Sequence, residues 1–318
     1  MEGYTRAILE LYGSAQECTP GEFSEHTMHL MQRVLPFDSG ASVQAEFADG
    51  GQMVVRSMLA FNQPLDKLRD RSGLTEPDPI LVKAFNQRGR SICVAVDGMD
   101  QHKHHEVITY ARKYEVEQSL VYIPAAAPAQ EPGLIVFWRA DTRRPYTQAD
   151  LALADMIMPH IFQARRINNR LASSAQRQHQ ALLLISDLQG CLQFSDDGAN
   201  RMLQTEWPQW TPPELPPAFF RSLRDSSNGH YTGRTLAASI SVHGRHVHIL
   251  LERRSPSAQL TPAELSIARL AVTGATYKQI AAELHLSPAT VRNQLHRIYT
   301  KLGISNKTAL AGRLNQPA

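Results

Sequence analysis

The stretch LSPATVRNQLHRIYTKLGIS, residues 286–305, has the pattern of an amphipathic helix with a defined start. Ser287 is a favourable N-cap residue, and Pro288 follows at the first helical position, where its missing N–H costs no hydrogen bond. Apolar residues recur at intervals of four, three and four, which places them on one helical face: Val291, Leu295, Ile298 and Leu302. The stretch contains no acidic residue, so the opposite face is polar and cationic.

Two further helix starts precede this stretch, and both have the pattern of a capping box. Thr261 is followed three residues later by Glu264, and Gly274 is suited to end that helix. Thr276 starts the second helix in the same way. Because only the short turn at 285–287 separates the second helix from the third, the sequence predicts a helix-turn-helix.

The polar face of the third helix carries the donors that a DNA major groove requires. An arginine can make two hydrogen bonds to guanine, and an asparagine can read adenine. The free N–H groups at the helix N-terminus can hold a phosphate. We expect the following side chains to lie at the DNA: Ser287, Thr290, Arg292, Asn293, His296, Arg297 and Lys301.

Residues 260–310 resemble the LuxR/FixJ-type helix-turn-helix over essentially their whole length. The family pattern is matched at Leu260, Thr261, Glu264, Gly274, Ile280, Ala281, Leu284, Ser287, Thr290, Val291, Lys301, Leu302 and Gly303. The usual Asn-Arg-Thr near the last helix is Asn306-Lys307-Thr308 here, which is a mild departure.

This resemblance implies a four-helix domain whose residue roles follow by position in the motif. It implies that bases are met by Arg292, Asn293 and His296, and that phosphates lie near Lys278, Ser287 and Thr290. It also implies that the last helix, at about 305–314, helps to form a dimer on DNA.

The distribution of charge favours a nucleic-acid partner for this end of the chain. From residue 256 onward there are seven Lys/Arg and two acidic residues, a net charge of +5, although the 318-residue chain carries only +3. The preceding residues therefore carry −2. A compact basic segment on a mildly acidic body is typical of a DNA-binding domain attached to another module. A basic but merely solvated helical surface is the alternative.

The composition is that of an ordinary globular protein, with 42% hydrophobic and 20% charged residues. No uncharged apolar run approaches the ~20 residues of a transmembrane helix, and the N-terminus lacks a secretory h-region. The cysteines, Cys18, Cys93 and Cys191, are odd in number and widely spaced, which fits a reduced compartment. We therefore expect a cytoplasmic protein without a membrane partner.

The front of the chain, residues 1–165, has the pattern of an α+β domain. Early helical periodicity is followed by strand-like runs such as SGASVQAEF (39–47) and GLIVFWRA (133–140). The stretch FWRADTRRPYTQADLALADMIMPHI (137–161) resembles the last strand and exit helix of GAF-like sensor domains. The resemblance implies a cavity for a small ligand between a sheet and helices.

One long helix is predicted from Gln148 to Gln178, with a linker part at 166–178. A rough heptad runs along it through Leu153, Ile157, Ala164, Ile167 and Leu171. Such a helix can be a dimer seam, and packing onto its own domain is an equal alternative. Pro159 is expected to kink it.

Residues 179–254 resemble a small PAS-like domain, through ISDLQGCLQFSDDGANRML (185–203). Asp187, Gly190 and Asn200 hold the aspartate, hairpin glycine and helix asparagine of that pattern. The proline-rich stretch 206–220 is expected to lack regular structure, and 255–259 to be a linker into a DNA-binding domain at 258–318. The predicted fold class is thus α+β sensor domains, GAF-like and then PAS-like, followed by an all-α domain of four helices.

Several residues are also candidates for metal binding or for lining a ligand pocket. His246 and His248 lie on one face of a predicted strand and are candidate ligands for a metal or haem, as is the run HKHHE (102–106). Adjacent histidines are more often exposed loop or strand residues. Trp138, Trp207 and Trp210 can line a pocket, although core packing is the default for tryptophan. We expect Cys93 to be a buried apolar cysteine, and we expect no cofactor and no metal.

The sequence as a whole predicts a transcriptional regulator. Its expected partners are double-stranded DNA, a small-molecule effector at the N-terminal region, and a second copy of the chain. No catalytic signature of an enzyme is found. The alternatives are an enzyme tethered to DNA and an interaction module that titrates another regulator. The pocket residues of acyl-homoserine-lactone receptors do not align with this front half.

Overall fold

The computed structural model describes residues 2–47, 53–75, 78–125, 133–177, 181–254 and 260–314. The helices are Glu2–Glu17 (α1), Pro20–Val34 (α2), Asp66–Ser72 (α3), Pro79–Asn86 (α4), His105–Lys113 (α5), Gln148–Arg177 (α6), Ala199–Glu206 (α7), Pro217–Asp225 (α8), Pro262–Val272 (α9), Tyr277–Glu283 (α10), Pro288–Leu302 (α11) and Lys307–Leu314 (α12). The strands are Ser39–Phe47 (β1), Met53–Phe61 (β2), Ile92–Ala95 (β3), Gln118–Tyr122 (β4), Gly133–Arg139 (β5), Ala181–Asp187 (β6), Leu192–Ser195 (β7), His230–Thr232 (β8), Leu236–His243 (β9) and His246–Arg253 (β10).

The first sheet is antiparallel throughout and has the order β2-β1-β5-β4-β3. One face packs on α1, α2 and α6 through residues such as Leu120, Ile135 and Phe137. The other face packs on α4, through residues such as Val121 and Val136. Because both faces are covered, every residue of β4 is buried, including the polar residues Gln118 and Ser119.

The second sheet is also antiparallel and has the order β7-β6-β10-β9-β8. Counted within each sheet, the two strand orders are the same. Its core joins strand residues such as Leu184 and Ile249 to Leu203 of α7 and Phe219 of α8. The two sheet units are in contact, since β2 packs near β7.

The long helix α6 continues through Pro159 and contacts α1, α2, β4 and β6. Ile157 and Ala164 of the predicted heptad are buried in the core with α1 and α2, whereas Leu171 remains 47% exposed. The helix thus packs onto the first sheet unit and also contacts β6 of the second, and its role as a dimer seam stays a prediction.

Part of the proline-rich stretch is helical, which corrects the prediction for 206–220. The helix α8 begins at Pro217, directly after the loop, because a proline at the first helical position needs no hydrogen-bond partner. The sequence interpretation also missed α3, α5 and β8. The predicted linker 255–259 lies outside the described residues.

The C-terminal helices α9 to α12 share one core, which includes Ile267, Ile280, Leu295 and Leu310. The fold class predicted from the sequence, α+β units followed by an all-α domain of four helices, is confirmed. Among the helices of the described ranges, none combines the length and the apolar character that a membrane span requires.

Candidate nucleic-acid interface and ligand cavity

The three predicted N-caps are formed, and they fix where the helices of the C-terminal domain begin. Thr261 and Glu264 make a reciprocal capping box at α9, and Thr276 starts α10 in the same way with Gln279. At α11 the Ser287 hydroxyl accepts a hydrogen bond from the backbone N–H of Thr290 at 3.0 Å. Each cap satisfies an N–H that has no partner within its own helix.

A tight turn joins α10 to α11. Leu284 ends α10, and His285 adopts a left-handed conformation with φ of 53°. The backbone N–H of Leu286 donates to the carbonyl oxygen of Ala281 at 2.9 Å, which closes the turn. The turn thus takes three residues, 284–286, before Ser287 starts α11.

The helix α11 has one buried face and one exposed face, as the spacing predicts. Its buried residues are Val291, Leu295, Ile298 and Leu302. Its exposed residues include four of the predicted DNA contacts, namely Arg292, Asn293, His296 and Arg297. Lys278 on α10, Ser287 and Thr290 are exposed as well. Lys301 is also exposed, so the structure brings all eight predicted residues to the surface of one helix-turn-helix.

Lys301 differs from the other predicted contacts, because its ammonium has a partner within the domain. The Nζ atom donates to both carboxylate oxygens of Glu264, at 2.7 Å each. Glu264 is only 8% exposed. The hydrogen bonds from Lys301 and from Thr261 lower the pKa of this carboxyl group. The structure thus gives Lys301 a role in joining α11 to the start of α9.

The last helix, α12, is held against the rest of the domain. Leu310 is fully buried in the core, and Lys307 Nζ donates to the carbonyl oxygen of Ala275 at 3.0 Å. That carbonyl lies in the turn between α9 and α10. The contact therefore fixes the base of α10, which carries Lys278.

Two short helices, joined by a tight turn and followed by a supporting helix, define the class of helix-turn-helix domains. Residues 258–313 match the family model described as bacterial regulatory proteins, luxR family. The C-terminal domain is therefore a luxR-family helix-turn-helix domain, and the resemblance found in the sequence is confirmed.

Three curated relatives share a short region with the chain. A putative HTH-type transcriptional regulator of Mycobacterium bovis is 37% identical over 73 residues, which is 21% of this chain and 8% of that protein. The probable HTH-type transcriptional regulator GfsR of Streptomyces halstedii is 41% identical over 64 residues, 20% of this chain and 26% of GfsR. The uncharacterized transcriptional regulatory protein YvfU of Bacillus subtilis is 48% identical over 52 residues, 16% of this chain and 26% of YvfU. The chain thus spans a small part of each relative.

Solved structures resemble the chain only distantly. Escherichia coli SdiA is 14% identical, with a TM-score of 0.40, and the match covers 97% of this chain and 98% of SdiA. The phycoerythrobilin-bound GAF domain of a cyanobacterial phytochrome is 13% identical, with a TM-score of 0.37, over 53% of this chain and 97% of that domain.

A cavity of about 270 Å³ lies between the first sheet and the helices α3, α4 and α5. Most of its lining is apolar, from residues such as Val43, Ile80, Val107 and Val136. Its polar lining consists of Lys67, Arg71, Asp78, Tyr110, Ser119 and the indole of Trp138. An apolar cavity with a few polar groups is the usual form of a small-ligand site.

Lys67 is the least expected member of this lining. It is only 4% exposed, and within the described ranges its ammonium has no hydrogen-bond partner. The Nζ atom lies 3.5 Å from the ring centroid of Trp138 and 5.5 Å from that of Tyr114. Burial, together with the positive charge of Arg71, lowers the pKa of Lys67 from 10.5 to about 7.

The other charged residues of the described lining, Arg71 and Asp78, are paired with each other. An Arg71 nitrogen lies 2.6 Å from one oxygen of Asp78, and the second oxygen of Asp78 caps α4 by accepting from the backbone N–H of Ile80 at 2.7 Å. The Tyr110 hydroxyl donates to the carbonyl oxygen of Lys67 at 2.9 Å, which anchors α3 to α5. Burial raises the pKa of Tyr110, so its hydroxyl stays protonated.

The remaining sequence candidates have structural roles. Asp187 accepts from the backbone N–H of Cys191 at 2.8 Å, in the turn that Gly190 makes with φ of 91°. Burial raises the pKa of Cys93, and Cys93 is half-buried. His246 is buried near α2, with a ring nitrogen 3.8 Å from Glu25. Among the described residues, no three His, Cys, Asp or Glu side chains are grouped so as to hold a metal ion.

Sequence reasoning found the helix-turn-helix residues but missed the polar part of the cavity. Lys67 and Arg71 lie in DKLRDRS, where charged residues dominate and indicate a solvated segment. Of the three tryptophans considered for a pocket, Trp138 does line the cavity, whereas Trp207 and Trp210 pack in the core of the second sheet unit. A buried lysine in such a charged segment leaves no signal in the sequence pattern.

Proposed function

We propose that the protein is a transcriptional regulator that reads duplex DNA with α11. The observation that carries this proposal is the exposed face of α11, which presents Arg292, Asn293, His296 and Arg297 with no acidic side chain on the helix. A face of long donors and no bulky apolar group suits insertion into a major groove.

The residue roles follow from position on the domain. Arg292 and Asn293 would hydrogen-bond base edges, and His296 would reach a base one turn further along the helix. Lys278, Ser287 and Thr290 would contact phosphates, with Arg297 beside them. We leave Lys301 out of the interface, because its ammonium is held by Glu264.

We further propose that the protein acts as a homodimer in the cytoplasm, with each C-terminal domain on one half-site of a two-fold related sequence. Half-site centres would then lie about one helical turn of DNA apart, or a multiple of it. The domains would follow the boundaries expected from the sequence, namely 1–165, the helix 166–178, 179–254 and 258–318.

The cavity of the first sheet unit is the proposed effector site. Its lining is mostly apolar with a few polar groups, and its size suits a small ligand. The short helix α3 connects it to the second sheet unit, because Lys67 faces the cavity while Arg69 Nε donates to Glu214 at 2.8 Å. A ligand that repositions α3 would thereby alter the contact between the two units.

The test of DNA recognition uses the full chain and a pool of random duplexes at low ionic strength. Repeated selection and sequencing should enrich a two-fold related site. Binding to that site should weaken by about 0.9 log unit per log unit of salt for each phosphate neutralised. A pool that remains random after selection would reject the proposal and favour the interaction module. Catalytic turnover by the chain would favour the tethered enzyme.

A further inference from the structure

An ammonium group that is buried without a hydrogen-bond partner carries a large cost in free energy. Lys67 is such a group among the described residues, and it is aimed into the cavity. The faces of Trp138 and Tyr114 offset part of the cost, since an aromatic ring attracts a cation. The ring faces leave the three N–H donors of the ammonium without an acceptor.

The charges that line the cavity do not cancel. In the part of the lining that the structure describes, Asp78 is the only acid, and it is already engaged with Arg71 and with the start of α4. When Lys67 is protonated, the cavity therefore carries one positive charge without a counter-ion. A ligand with one negative charge would balance it.

A second donor lies in the same cavity. The hydroxyl of Ser119 is buried, lines the cavity, and has no hydrogen-bond partner in the described structure. A carboxylate has two acceptor oxygens and can take hydrogen bonds from more than one donor. Lys67 and Ser119 thus supply a charged donor and a neutral donor to the same space.

The rest of the lining requires an apolar ligand body. The space is surrounded by aliphatic side chains of β1, β2, β4, β5, α4 and α5. A small inorganic anion would not cover these side chains, so they would remain in contact with water. The volume of about 270 Å³ is near the lower end of ligand cavities, so the body must be compact.

We propose that this cavity binds a small amphiphilic carboxylate, with its carboxylate on the Lys67 ammonium and its apolar body between the first sheet and α3 to α5. This inference rests on the proposed function of the cavity as the effector site and adds the class of ligand to it. Ser119 acts as the second donor, and Trp138 covers the head group.

The probe for the test is the series of straight-chain carboxylates from butanoate to decanoate, with octanamide as the neutral partner of octanoate. Isothermal titration of the full chain without DNA should show octanoate binding at least about tenfold more tightly than octanamide. Because Lys67 has a pKa of about 7, octanoate binding at about pH 7.5 should take up protons, and the observed heat should depend on the buffer.

Lys67→Met is the main variant, since methionine has a similar length and no charge. It should lose at least about tenfold in octanoate affinity and lose the proton uptake, with octanamide affinity unchanged. Ser119→Ala should weaken octanoate less. Lys103→Met is the matched control, because the Lys103 side chain is 77% exposed and does not line the cavity, and it should bind octanoate as the wild type does.

Three results would overturn the ligand class: equal binding of octanoate and octanamide, full octanoate affinity in a folded Lys67→Met variant, or no binding by any member of the series. These results are independent of DNA. A failed duplex selection with normal octanoate binding would reject the proposed function and retain the carboxylate site.

Discussion

Glu264 at the start of α9 accepts two hydrogen bonds from Lys301 near the end of α11, at 2.7 Å to each carboxylate oxygen. The same carboxylate accepts from the backbone N–H of Thr261 at 2.9 Å. One buried acid therefore caps the first helix of the domain and ties it to the helix proposed to read DNA. Because its ammonium is engaged with Glu264, Lys301 has a structural role in the domain that is distinct from DNA contact.

Lys301→Met should destabilise the domain and leave the salt dependence of DNA binding unchanged. The change leaves the Glu264 carboxylate buried without its cation, and we expect a loss of about 1–2 kcal/mol in local stability. Hydrogen exchange of the α9 and α11 amides in the full chain measures this loss. A reduced salt slope with normal exchange would instead return Lys301 to the DNA interface.

The pH dependence of the same pair has a definite sign. The pKa of Glu264 is lower in the folded domain than its ordinary value of 4.5, so the pair adds stability above about pH 4.5 and loses it as the pH falls through the folded pKa. The difference in exchange between wild type and Lys301→Met should therefore shrink in acid. A difference that grows in acid would contradict this assignment.

Arg292→Ala and Lys278→Ala should affect DNA binding in different ways. Loss of a base-reading arginine should cost about 1–3 kcal/mol on the selected site and relax base choice at one position. Loss of a phosphate contact should weaken all sequences alike and reduce the salt slope by about one. Competition binding with a panel of single-base variants of the site measures both effects. Unchanged base preference in Arg292→Ala would reject the groove assignment of that residue.

Ser287 can be tested as a helix cap and as a phosphate contact separately. Ser287→Ala removes the acceptor for the Thr290 N–H, and the start of α11 should lose about 1 kcal/mol of stability. Ser287→Asp retains the cap but places a negative charge at the proposed phosphate site. We expect normal exchange protection of α11 in Ser287→Asp together with loss of DNA binding. Full DNA affinity in Ser287→Asp would place the phosphate elsewhere.

Lys67→Met should stabilise the first sheet unit in a pH-dependent manner. The folded pKa of Lys67, about 7, is lower than its ordinary value of 10.5, so the unfolded chain binds the proton more strongly. The stability of the wild type should therefore rise between about pH 7 and pH 10.5. Lys67→Met should be roughly 1–4 kcal/mol more stable at about pH 6, and the gap should close towards pH 10. Urea unfolding at several pH values measures this difference in the free energy of unfolding. A difference that does not change with pH would contradict a buried ammonium.

The sequence predicted the local features of the candidate interface well, because those features are encoded over three to four residues. The caps at Thr261, Thr276 and Ser287 are present as expected. The buried face of α11 follows from its helical spacing. Both depend on contacts within one helix turn, and neither requires knowledge of where distant segments lie.

The front of the chain was less accessible to such reasoning. The helix α3 is short and rich in charged residues, so it lacks the apolar period that identifies a helix. The helix α5 does place Val107, Ile108 and Ala111 on one face, and this short period was overlooked beside the histidine-rich run. The helix α8 begins at Pro217, directly after several other prolines. A run of prolines predicts a loop, and the sequence pattern does not show that the last of them starts a helix. These elements are helical because they cover apolar surfaces of the sheets, which lie far away in the sequence.

By itself, the sequence determined the first three C-terminal helices, their caps, and the polar cationic face of α11, because helical period and capping act between near neighbours. The fourth helix was expected only from the family resemblance. Only the tertiary structure decided that Lys301 belongs to Glu264 and that Lys67 lies beneath Trp138 in a cavity. Both outcomes depend on segments far apart in the chain, and the burial of a charge is set by the packing around it rather than by the residues next to it.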